Sequence, residues 1–138
     1  MAEKPFKLEV ITPDRVVLSD GHVVSVVAPG VEGYLGVLAN HAPLMTELTL
    51  GELDLRRADG TSESMAINDG FMEVHENTCT VLTDTAELRG EIDVERAEQA
   101  LKRAEERIAS PTPDVDLDRA RVALVRAINR LRVAQRSP

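Results

Sequence analysis

Six arginines carry the most obvious chemistry in this chain, and their spacing sets them in two columns. Arg96, Arg103 and Arg107 recur at helical intervals, and Arg119, Arg126 and Arg130 repeat the series 23 positions later. A guanidinium stays charged and presents a planar fork of donors, so clustered arginines suit carboxylates or phosphates gripped in bidentate fashion. The carboxylates placed to meet them are Glu87 and Asp93, with Asp116 at the other end of the repeat. Nucleophilic and metal chemistry are poorly served. The chain has no Gly-x-x-x-x-Gly-Lys-Ser/Thr phosphate loop, no nucleophile elbow and no metal-ligand spacing. Cys79 is the single cysteine, which rules out an internal disulfide and reads as an inert strand residue. His41, before Ala42-Pro43, lacks acid–base partners and reads as a loop-shaping or interface residue, while His22 and His75 read as strand residues. No catalytic residue and no metal site is expected.

The elements that position the arginines are two copies of one helical template. Asp93, Arg96, Ala97, Ala100, Leu101, Arg103, Ala104, Arg107 and Ile108 return as Asp116, Arg119, Ala120, Ala123, Leu124, Arg126, Ala127, Arg130 and Leu131. Each Asp is placed as an N-cap, accepting backbone N–H groups left free in the first turn. At about 100° per residue the Ala, Leu and Ile positions form one apolar stripe on each helix. The turn-rich Ser110-Pro111-Thr112-Pro113-Asp114 between them predicts an antiparallel hairpin over residues 89–138. An alanine-heavy seam buries little area, so the hairpin should be weakly held and able to open or redock. Equivalent faces packed antiparallel bring like edges together, placing Arg96 near Arg126 and Arg130, and Arg103 and Arg107 near Arg119. Spacing leaves open whether these arginines bind a ligand or merely snorkel over the seam toward surface glutamates, and it does not choose between the two ends.

Residues 1–88 read differently. Short runs rich in Val, Thr, Ile and Leu, cut by Gly, Pro, Asn and Asp, predict strands over 6–13, 22–28, 53–56, 63–67, 71–75 and 78–83. Asp59-Gly60 and Glu76-Asn77 serve as turns, and Asn68-Asp69-Gly70 opens a second strand pair. Strands at this spacing without helices between them imply a small sandwich or flattened barrel. The fold class is therefore α+β in two segregated parts, an all-β sandwich followed by a two-helix hairpin.

Charge divides along the same line. Within the net charge of −8, residues 1–90 hold fifteen acidic against six basic residues, whereas residues 117–138 hold one acid against six arginines. A basic terminal helix on an acidic body points to an acidic protein surface or a phosphate ligand. Nucleic acid fits poorly with an acidic body and 2% aromatic residues. No stretch approaches the roughly 20 apolar residues of a membrane span, and the N-terminus lacks a signal-peptide core, so a cytosolic location is expected.

Three blocks in order give the chain a resemblance to the epsilon subunit of the F-type ATP synthase. They are Gly33-Tyr34-Leu35-Gly36 through Asn40-His41-Ala42-Pro43-Leu44, then Asn68-Asp69-Gly70-Phe71 through Val74, then Arg126-Ala-Ile-Asn-Arg130-Leu131. The resemblance implies a ten-stranded β-sandwich and two helices on a rotating central stalk. It implies a sandwich that contacts the gamma subunit and the c-ring, and helices that extend along the stalk to block ATP hydrolysis. In that extended state the basic helix, with Arg119, Arg121 and Arg132, would meet acidic segments of the catalytic alpha and beta subunits. Some bacterial members bind ATP through Ile/Leu-Asp-x-x-Arg-Ala and two second-helix arginines. Ile92-Asp93-Val-Glu-Arg96-Ala97, Arg126 and Arg130 match that pattern, with Glu87 upstream, so ATP is the implied regulatory ligand and no cofactor is required. Tyr34 stands where the family often has an acidic or polar residue, making any ring contact at this loop and His41 more apolar. The implied place is peripheral, on the cytoplasmic face of the plasma membrane. A competing reading is a free-standing nucleotide sensor with a ligand-gated hairpin and no rotary partners.

Overall fold

Glu76 and Asn77 both adopt left-handed backbone, with φ of 49° and 57°, so the turn between them twists with its flanking strands and closes a long hairpin. That hairpin belongs to a computed structural model describing residues 3–136. Seven strands precede two helices: β1 Phe6–Ile11, β2 Val16–Gly30, β3 Gly33–Val37, β4 Leu44–Leu48, β5 Gly51–Arg57, β6 Ser62–His75 and β7 Thr78–Leu88. A single 3₁₀ turn, Arg89–Glu91, leads into α1 Val94–Ala109 and α2 Leu117–Ala134.

The strand count is seven where ten were expected, and the reason is continuity. The early part of β2 pairs with β1, and its later part with β3 and β5. Likewise β6 pairs with β5 through Ser62–Ile67 and with β4 through Gly70–Val74, and β7 follows β6 along its length while its first half runs parallel to β1. Each long strand therefore serves both layers. Dividing these three gives ten segments, five in each layer of a sandwich whose β1–β7–β6–β5–β2 pairings close on themselves. Asn68-Asp69-Gly70 is accordingly a bend within β6 rather than the opening of a new strand. Asp69 has φ 55° and Gly70 φ 139°, and Thr83 Oγ1 lies within hydrogen-bond distance of the carbonyls of Asn68 and Asp69, at 3.1 and 2.6 Å. A Cβ on Gly70 would collide with the Leu82 carbonyl, so the close crossing of β6 over β7 requires glycine there.

Period-2 alternation fills the space between the layers. Leu8, Val10, Val23, Val26, Leu48, Leu53, Met65, Ile67, Met72 and Val81 are fully buried, each contributing roughly 1.5–3 kcal/mol by removal from water. Cys79 joins this core, and burial pushes its thiol pKa up to about 12, which leaves it unreactive.

The helices form through their caps and their alanines. Asp93 accepts from the Arg96 N–H and Asp116 from the Arg119 N–H, each at 3.1 Å. Ala97, Ala104, Ala120 and Ala127 are buried in the seam, while Leu101, Ile108, Leu124 and Leu131 are only half-buried. The hairpin also lies against the sandwich, which the repeat alone did not predict. A second face of α2, carrying Asn129 and Val133, packs there beside a small apolar cluster of Ala66, Ile92 and Val133. No helix among the described residues is long and apolar enough to cross a membrane.

Candidate functional site

The end of β7, the 3₁₀ turn and the second half of α2 meet at one junction, and most of the candidate ligand residues gather there. Glu91 fixes the turn: its carboxylate takes Arg15 Nη2 on both oxygens at 3.0 Å and accepts the Leu88 N–H at 3.2 Å. The Arg15 hydrogen bond, opposed in part by desolvation, holds the Glu91 carboxyl below its ordinary value. Held this way, the chain delivers Ile92 into the apolar cluster and Asp93 to its capping position.

Glu87 faces α2 from the end of β7. Its Oε2 accepts from Arg130 Nη2 at 3.0 Å, and its Oε1 lies 2.7 Å from Arg130 Nε. The Nε–H points off that oxygen, leaving it the one buried side-chain polar atom among the described residues without an aligned partner. Arg126 meets the β6 bend: with its amide oxygen turned toward α2, Asn68 accepts from both Nε and Nη2 at 3.1 Å. Next to them Asn129 is buried and donates to the Gly51 carbonyl at 3.0 Å. These groups line a crevice of about 60 Å³, together with Ala66, Ile67 and Thr85. That volume admits water and excludes a nucleotide.

Glu87, Arg126 and Arg130 are thus brought together. Asp93 sits at the adjoining helix start with its carboxylate engaged in capping, Ile92 is buried beside Val133, and Ala97 is sealed in the seam. Arg96 is exposed and does not line the crevice. At the opposite end of the hairpin, Arg107 and Arg119 share an open cavity of about 420 Å³ with Asp114 and Asp116, and Arg103 is exposed outside it. What the junction can do follows from its donors. Two guanidinium forks point at one carboxylate and one neutral amide, and a polyphosphate could replace both with stronger charge-assisted bonds. It would have to displace Glu87 from Arg130.

The residues expected to meet partners are scattered. Tyr34 is 60% exposed and its hydroxyl accepts from the Glu52 N–H at 3.3 Å. His41 is half-buried with Nδ1 2.7 Å from the Ala42 carbonyl. On α2, Arg121 pairs loosely with Asp118 at 3.4 Å, and Arg132 is exposed with Nε 4.0 Å from Glu52. The basic terminal helix does meet an acidic surface, and that surface lies within the chain: Glu87 takes Arg130, and Glu52 and Asp54 take Arg136. Asn68, Asn129, Glu52, Asp54 and Arg136 were missed in the sequence. The signal was the Arg126, Asn129 and Val133 stripe, a second helical face hidden beside the conspicuous alanine one and followed past the helix end by Arg136.

Comparison with known proteins extends over both parts. Residues 5–89 match the family model described as ATP synthase, Delta/Epsilon chain, beta-sandwich domain, and residues 91–135 match its long alpha-helix domain. The ATP synthase epsilon chain of Syntrophomonas wolfei is 46% identical over 99% of this chain and 98% of its own length. That of Moorella thermoacetica is 49% identical over 92% of this chain and 94% of its own. Among solved structures, a chain of the Euglena gracilis mitochondrial ATP synthase, described as OSCP/F1/c-ring in rotational state 1, superposes with a TM-score of 0.76 at 27% identity, covering 91% of this chain and 77% of that one.

Proposed function

The chain belongs to the delta/epsilon family of ATP synthase subunits, and on that premise we propose that it is a non-catalytic central-stalk subunit of the membrane-associated F-type ATP synthase. In this role it couples c-ring rotation to ATP synthesis in the catalytic head, and its helical hairpin restrains ATP hydrolysis. The observation that carries the reading is agreement over both parts at once, sandwich and hairpin, with relatives of matching length.

Partners follow from the surfaces. Met45, Phe71 and Leu82 are large, exposed and neighbours on one sheet, since Leu82 lies opposite Phe71 and Met45 lies on β4 beside the same stretch of β6. An apolar strip of this kind suits a permanent protein contact, and we assign it to the gamma subunit. Tyr34 and His41 lie in the region we assign to the c-ring. Arg119, Arg121 and Arg132, exposed on α2, are assigned to acidic segments of the alpha and beta subunits when the hairpin extends. The complex would sit at the cytoplasmic face of the plasma membrane, with this chain peripheral to it.

ATP is the proposed regulatory ligand: Arg126 and Arg130 would take its phosphates once Glu87 swings off Arg130 and the crevice widens, with Ile92, Asp93, Arg96 and Ala97 assigned to the same site. Binding there would favour the docked hairpin and oppose extension. Affinity purification from membranes tests the assembly: catalytic-head and gamma subunits should co-purify with the tagged chain. Recovery of a bare monomer that still binds ATP would replace this reading with a free-standing sensor. Purified alone, the chain should release no phosphate from ATP.

A further inference from the structure

We infer that Arg136, seated between Glu52 and Asp54, is a docking lock that holds the hairpin on the sandwich independently of any nucleotide. Its Nη1 donates to Glu52 Oε2 at 3.0 Å and its Nη2 to Asp54 Oδ2 at 2.9 Å. The Glu52 side chain is only 8% exposed, and a carboxylate so removed from water needs a cation. Among the described residues its cations are Arg136, just past the end of α2, and the more distant Arg132 on its last turn. Lifting the helix would strip Glu52 of both.

The floor beneath the lock is tied down by hydrogen bonds. The Glu52 N–H donates to the Tyr34 hydroxyl, and the Gly51 carbonyl accepts from Asn129. A Cβ at Gly51 would stand 2.6 Å from Pro29 Cβ and 3.0 Å from the Tyr34 hydroxyl, so the backbone here is hemmed in from above. Apolar burial between hairpin and sandwich is small, Ala66, Ile92 and Val133 with the partly buried Ala134 beside them, so polar contacts weigh heavily in whether α2 stays down. Arg136 lies just past the end of α2 and takes Glu52 and Asp54, whereas Arg130 takes Glu87, so the two pairs share no residue. On the proposed nucleotide reading it also has a positioning role, setting the register that presents Arg126 and Arg130.

Amide hydrogen exchange along α2 in the nucleotide-free full-length chain tests the lock. Glu52→Gln, which loses one charge-assisted contact with Arg136, should speed α2 exchange roughly tenfold, and Arg136→Ala, which loses two, at least as much. The double variant should be no faster than Arg136→Ala, because that change already removes the Arg136–Glu52 pair along with the Asp54 contact. Arg103→Ala should leave α2 unchanged, and β6 amides should keep their protection as the sign of an intact sandwich. If Glu52→Gln disturbs β6, the exposed Arg136→Ala change decides alone. Wild-type protection of α2 in Arg136→Ala, or additive effects in the double variant, would overturn the lock. Added ATP should restore protection to Arg136→Ala; if ATP alters exchange in neither wild type nor variant, the nucleotide reading fails while the lock stands on the nucleotide-free result.

Discussion

Arg126 and Arg130 differ from the other arginines of the repeat by what surrounds them. Both point into the junction with the sandwich, whereas Arg103 faces solvent. Losing one guanidinium from a phosphate grip costs about 1.5–3 kcal/mol, or roughly ten- to a hundredfold in affinity. Isothermal titration should therefore show Arg126→Ala and Arg130→Ala weakening ATP binding by that factor, with Arg103→Ala within about twofold. An equal loss at Arg103 would move the site to the turn end. Gly70→Ala is the corresponding test of the fold. A methyl there meets the Leu82 carbonyl at a backbone conformation unsuited to alanine, and denaturant unfolding should register a loss on the order of 3 kcal/mol. Residues whose roles are local were readable in the sequence, as the capping aspartates Asp93 and Asp116 illustrate. Asn129 was not, because its acceptor is the Gly51 carbonyl 78 positions away, and nothing near Asn129 in the chain announces a distant backbone oxygen.

The 3₁₀ turn between sandwich and hairpin is short, and its orientation depends on one exposed clamp, Arg15 to Glu91. Because the folded Glu91 pKa is depressed, the clamp contributes above the ordinary carboxylate range and is lost as pH falls through the folded value. Both groups are substantially solvent-exposed, so the effect on global stability should be small and the local effect visible. NMR titration should find the Leu88 amide shifting with Glu91 protonation below its ordinary value of 4.5, and Arg15→Ala should move that midpoint upward. An unchanged midpoint would mean that the clamp does not form in solution. At this scale the sequence revealed both helices and their seam through the repeat. It divided β6 at Asn68-Asp69-Gly70, because turn-forming residues signal a change of direction and do not say whether hydrogen bonding resumes with the same neighbour. In β6 it does: Thr85 pairs with Asn68 and Thr83 with Gly70 across the bend.

The whole molecule combines a well-buried sandwich with a hairpin held by alanines and ion pairs, so the two parts should open at very different cost. Charge explains the arrangement. The basic helix that looked suited to a foreign acidic surface is partly neutralised on the chain's own, and any partner must compete with Glu52, Asp54 and Glu87 for it. Under the proposed function, a hairpin restrained this way would hold its inhibitory action in reserve until docking is weakened. The central claim is that the sandwich assembles the stalk while the hairpin regulates hydrolysis. It is tested most directly by ATP hydrolysis in synthase reconstituted with either the full chain or a chain ending at residue 91. Both should incorporate, and at low ATP the truncated form should hydrolyse several-fold faster, a difference that shrinks as ATP rises. Equal rates at all ATP concentrations, or incorporation of neither form, would contradict the account.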